Sequence, residues 1–158
     1  MAQEFELQPS PKGQTGRINV PVPHYAFDMW DPALAFGGGN TGLTGSQFST
    51  YQRIGNRCYI DTTFTLTAKG SSTGVAEIYF LPFGSWGNLP AFNVTWLNMT
   101  STLVHMGGLL VLGILGSTAI KLVGLTAAGA SLVDLTDADF SNTTEIEVSG
   151  HYTINEQG

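Results

Sequence analysis

Charge is scarce in this sequence. Asp, Glu, Lys and Arg make up 11% of its 158 residues, against roughly a quarter in an ordinary soluble domain. Hydrophobic residues stand at 42%, enough for a core. That pairing excludes a disordered chain, which combines low hydrophobicity with high charge. Glu, Lys and Arg total only 12, which excludes a coiled coil. The six cations, Lys12, Arg17, Arg53, Arg57, Lys69 and Lys121, form no run, and the net charge is −6. A partner held through phosphates needs a basic patch, so nucleic acid is excluded as the main ligand. Cys58 is the single cysteine. No internal disulfide can form, which fits assembly in a reducing compartment. The N-terminus has neither the basic nor the apolar region of a secretory signal. Met106 to Ile120 is uncharged, but its 15 residues fall short of the roughly 20 that a membrane helix needs. Four glycines, Gly107, Gly108, Gly113 and Gly116, interrupt it. Two buried strands around a Gly116-Ser117 turn are expected there, and no membrane partner.

Motifs for chemistry are also missing. His24, His105 and His151 lie far apart, and no His-x-x-x-His or Cys-x-x-Cys spacing occurs, so no zinc site is implied. Asp134, Asp137 and Asp139 form the densest acidic cluster, without the spacing, glycine or closing glutamate of a calcium loop. Turn and cap roles suit them better. Gly84-Ser85-Trp86-Gly87 misses the spacing of a serine-hydrolase elbow. Cys58 sits on the apolar side of a strand pattern, where an inert thiol is expected. Nothing singles out a carboxylate pair among the twelve acids. The expectation is a protein without catalytic residues, metal or cofactor.

What is abundant is Thr (18), Gly (20) and Ser (11), which fill helices poorly. Residues 1–24 read as an extended arm punctuated by Pro9, Pro11, Pro21 and Pro23. Tyr25 to Asp31 is dense in aromatics, an anchor or an interface. Gly37 to Gly45 reads as a loop. From Gln47 onward, strand signals recur. Over residues 57–67, Cys58, Ile60, Thr62, Phe64 and Leu66 share one face; Tyr59, Asp61, Thr63, Thr65 and Thr67 share the other. The segment 144–154 repeats the pattern. Ile146, Val148, Gly150, Tyr152 and Ile154 face one way; Glu145, Glu147, Ser149, His151 and Thr153 face the other. Further strands are expected near 75–81, 91–97, 109–115, 117–125 and 132–135, with one helical turn at 137–140. Turn signals about every ten residues point to an all-β, antiparallel β-sandwich of about eight strands over residues 25–158.

Three segments resemble β-sandwich domains of bacteriophage virion proteins. They are Tyr51-Gln52-Arg53-Ile54-Gly55-Asn56-Arg57-Cys58-Tyr59; the Thr-rich strand Phe64-Thr65-Leu66-Thr67 with the turn Gly70-Ser71-Ser72-Thr73-Gly74 and the strand end Leu81-Pro82-Phe83; and Thr143-Thr144-Glu145-Ile146-Glu147-Val148-Ser149-Gly150-His151-Tyr152. The resemblance runs from about residue 48 to 155. It implies a jelly-roll-like fold, a homotrimer and a place in the virion, on a fibre, a spike or the capsid surface.

Two functions compete on this basis. A trimeric capsid decoration, or cement, protein would grip the major capsid protein with arm residues Phe5, Leu7, Ile18, Val20 and Val22. Phe27, Trp30 and Tyr51 are then the candidates for a trimer interface or an anchor. A receptor-binding fibre tip would instead recognise host glycan by stacking sugars on Trp86, Trp96, Tyr79 or Tyr59, with Asn88 and Asp61 as polar partners. Core or interface packing is the ordinary fate of such aromatics.

Overall fold

The computed structural model describes residues 25–85, 90–113 and 118–154. The expected arm, with Phe5, Leu7, Ile18, Val20 and Val22, lies outside them. The described residues form ten strands and one 3-10 turn. The strands are β1 (Tyr25–Met29), β2 (Ala33–Phe36), β3 (Leu43–Ile54), β4 (Arg57–Lys69) and β5 (Ala76–Tyr79). They continue as β6 (Ala91–Leu97), β7 (His105–Leu112), β8 (Thr118–Leu125), β9 (Val133–Asp134) and β10 (Glu145–Thr153). All pairing is antiparallel, in the order β1-β3-β4-β10-β6-β7-β8-β5-β2, with β9 beside β8. The fold is therefore all-β. Where the sequence suggested about eight strands in two sheets, ten strands form one continuously paired sheet.

That sheet has to curl. Laid flat, nine neighbouring strands would separate β1 from β2 by roughly 38 Å. Residues 30–32 alone join these two strands, and so short a link spans at most about 14 Å. The two ends of the sheet therefore return toward each other, giving an antiparallel half-barrel. Its concave side holds the core. Phe64 and Leu66 from β4, Val94 from β6, Leu110 from β7, Ile120 from β8, Ile78 from β5 and Phe36 from β2 all belong to one buried cluster.

The alternation read from residues 57–67 and 144–154 is the alternation observed. Cys58, Ile60, Thr62, Phe64 and Leu66 are buried, as are Ile146, Val148, Tyr152 and Ile154. Thr62 is tolerated inside because its hydroxyl bonds Ser49 at 2.6 Å, and a satisfied buried hydroxyl costs little. The segment 106–120 contributes β7 and the start of β8, paired from His105 with Leu125 to Leu112 with Thr118.

Four strands differ from the sequence reading: β1 arises where an anchor was expected, β2 where no element was expected, β3 begins at Leu43 inside the expected loop, and β7 runs from His105 to Leu112 rather than near 109–115. Pairing supplied by distant strands overrides weak local signals here. The glycines of that loop act at its start. Gly37 has φ +60, and a Cβ on Gly74 would lie 2.8 Å from the Gly37 Cα. Side chains at either position would separate the β2–β3 and β4–β5 connections, which touch there.

The acidic cluster holds turns together. Asp139 accepts from the Thr136 amide at 2.8 Å and from the Ser101 hydroxyl. Asp137 accepts from the Gly74 amide at 2.8 Å and faces Lys69. Asp134 pairs with Lys121 at 2.8 Å. The three carboxylates thus share no partner, and they sit around a 3-10 turn at Asp137–Asp139.

Candidate functional site

The three resembling segments meet at Phe83. Tyr51 meets the Phe83 ring edge-on at 5.4 Å, and the Arg53 guanidinium lies 5.2 Å from the same ring. The Tyr152 hydroxyl accepts from the Phe83 amide at 3.2 Å and donates to the Phe83 carbonyl at 3.1 Å. Burial pushes the Tyr152 phenol well above its ordinary range and raises the Cys58 thiol beside it. Both are held neutral by desolvation. This seam is a structural clamp, and Cys58 is fully buried within it.

The opposite face of the same strands is open. Register places Phe27 against Gln52, Gln52 against Tyr59, and Tyr59 against His151. One row of side chains thus crosses β1, β3, β4 and β10, a span of roughly 14 Å at ordinary strand spacing. The adjacent row runs from Met29 through Thr50 and Asp61 to Ser149. All of these except Met29 line a shallow groove of about 340 Å³. The Tyr59 and His151 rings lie 5.3 Å apart and tilted by 35°, forming a two-ring platform. Arg57 Nη1 is 3.2 Å from His151 Nε2. A guanidinium only donates, so Nε2 accepts, and the proton of the neutral imidazole then sits on Nδ1. Gln52 Nε2 donates to the Tyr25 hydroxyl at 3.4 Å. Asp61 supplies the single carboxylate among the groove's lining residues. The floor depends on Gly150, where a Cβ would fall 2.6 Å from the Phe92 ring packed beneath it.

The structure divides the sequence candidates. Tyr59, 39% exposed, and the exposed Asp61 both reach the groove. Tyr79 does not. It is 1% exposed, and its hydroxyl donates to the buried Glu77 carboxylate. This corrects the suggestion that it could meet a sugar; β5 is covered on both faces, so no side of it is free. Trp96 is half-buried against the core. Trp86 and Asn88 lie outside the described residues. Phe27, Trp30 and Tyr51 separate as well: Trp30 and Tyr51 pack against the core, whereas Phe27 is 64% exposed on the groove side. Sequence reasoning passed over Gln52, Thr50, Ser149 and His151 as groove residues. The alternation had placed Ser149 and His151 outward, but only pairing shows which strand they lie beside. Among the described residues, no group of three or more His, Cys, Asp or Glu is arranged to hold a metal ion.

No family model and no curated protein sequence matches the chain. A solved structure does. The crystal structure of the Dettilon tailspike protein superposes with a TM-score of 0.66 at 18% identity, over 83% of this chain. The fold is shared with part of a phage tailspike. The matched region is 24% of that tailspike's length, so the likeness concerns one portion of a longer polypeptide.

Proposed function

We propose that this protein is a bacteriophage virion protein whose half-barrel presents a binding groove to host-surface glycan. One observation carries the reading: an open groove that sets a two-ring platform, Tyr59 and His151, beside the hydroxyl and carboxylate groups of Thr50, Ser149 and Asp61. Sugars have apolar C–H faces that stack on aromatic rings and hydroxyl rims that need donors and acceptors. The groove offers both within a span of two or three sugar rings. Asp61 would accept from a pair of neighbouring hydroxyls, and its charge disfavours a sulfated or carboxylated ring at that position. The shared tailspike fold supports a place on the virion.

The competing reading is a trimeric cement protein bound to the major capsid protein. Its binding residues, Phe5, Leu7, Ile18, Val20 and Val22, lie in the arm, outside the described structure. The groove gives that reading no support.

The test is binding of the purified protein to a panel of immobilised bacterial surface polysaccharides. Saturable binding to at least one is expected. Tyr59→Ala and Asp61→Ala should each weaken it about tenfold, which corresponds to about 1.4 kcal/mol, while the unfolding midpoint stays unchanged. Absence of binding across the panel, together with co-sedimentation on phage heads, would replace the glycan reading with capsid decoration.

A further inference from the structure

Given the glycan reading above, on which this depends, we propose that the groove selects a carboxylated sugar and that Arg57 reads the carboxylate. Arg57 opens β4 and is exposed. It stands two residues before Tyr59, and Asp61 stands two residues after it. All three therefore share the outward face of one strand, at intervals of about 7 Å. The ring platform is flanked by a guanidinium on one side and a carboxylate on the other. The rest of the face follows the same polarity. Beyond Asp61, Glu147 lies against Thr63 and Glu145 against Thr65. On the other side of Tyr59, Arg57 lies between Ile54 and Thr153, both uncharged. Every acid of β3, β4 and β10 thus falls on the Asp61 side of the platform.

Arg57 also differs from the other cations among the described residues. Lys69 faces Asp137, and Lys121 pairs with Asp134. The Arg53 guanidinium lies against the Phe83 ring and donates to the Gly55 carbonyl. Arg57 instead donates to Nε2 of His151, and among the described residues it forms no ion pair. One N–H group is so engaged, and the rest of the donor fork remains for a ligand. The bond to His151 also fixes the guanidinium beside the platform, which lowers the entropy lost on binding. A uronic acid carries its carboxylate at the ring edge. With its C–H face on Tyr59 and His151, that carboxylate projects sideways. Turned toward Arg57, it receives two parallel charge-assisted hydrogen bonds from the planar fork. Turned toward Asp61, it meets a like charge. The groove therefore sets both the class of sugar and the direction in which the glycan lies.

The test is binding of the full chain to bacterial polysaccharides that contain uronic acid, each compared with the same polymer after its carboxyl groups are reduced to alcohols. The native polymer is expected to bind about tenfold tighter than its reduced form. Arg57→Gln should abolish that preference with an unchanged circular dichroism spectrum, since the side chain is exposed. Arg57→Lys should restore only part of it, because an ammonium is a point charge without the fork. Lys121→Gln, which removes a cation from β8, should leave the preference intact. A wild type that binds reduced or neutral polymers as tightly as acidic ones overturns the carboxylate assignment and leaves the glycan groove standing. So does a preference that survives Arg57→Gln, or one that Lys121→Gln abolishes. Absence of binding to every polymer, acidic or neutral, overturns the glycan reading and this assignment with it.

Discussion

β1 and β2 end the same sheet and are joined by only three residues, yet they have opposite environments. In β2, Leu34, Ala35 and Phe36 are all buried. Leu34 and Phe36 enter the core, and Ala35 joins Tyr79 and Ala119 in a small cluster on the other face. In β1, four of five residues are exposed. Being at the edge of a sheet therefore does not decide burial here. What decides it is which part of the curl the strand meets. β2 is folded against β5, a strand covered on both faces. β1 lies along residues 50–54 of β3, which are themselves only half-buried or exposed. One edge stabilises the barrel, and the other presents it.

This contrast can be broken by substitution. Phe36→Ala should have the largest effect, about 3–5 kcal/mol lost in urea unfolding, because Phe36 is 1% exposed and meets the Phe140 ring at 5.0 Å. Next comes the clamp around Phe83. Tyr152→Phe strands the Phe83 amide and carbonyl and should cost about 1–3 kcal/mol. The same seam predicts sensitivity to base. Tyr152 and Cys58 have raised pKa values in the folded state, from ordinary values of 10.0 and 9.0. Their contribution is complete below those values and is lost as pH rises through them toward the folded-state values. Stability measured by urea titration should therefore fall above about pH 9–10, and less steeply in Tyr152→Phe. Phe48→Ala should have the smallest effect, within about 0.5 kcal/mol, since the ring is 61% exposed on the presenting side. A large loss there would mean that the exposed half of β3 carries more of the fold than its burial suggests.

Residues 57–67 and 144–154 show how much of this was legible in the sequence. A two-residue period with apolar residues on one parity allows only one facing, because shifting it would bury charge and expose the core. The inner sides of β4 and β10, and the outward Tyr59, Asp61, Ser149 and His151, could thus be assigned from the sequence. β1, β2 and the start of β3 were not legible. Tyr25–Met29 and Ala33–Phe36 are too short to declare a period, and glycine obscures Leu43–Gly45. These segments become strands because distant partners offer them hydrogen bonds.

Composition and alternation by themselves determined that this chain builds antiparallel sheet around an apolar face. Only the tertiary structure decided that the sheet is continuous and curled. The same folding sealed Tyr79 inside, and brought Phe27, Gln52, Tyr59 and His151 into one row. The reason is that side-chain period is a local property of a strand. Strand order and register are fixed by contacts between residues as far apart in sequence as Arg57 and His151.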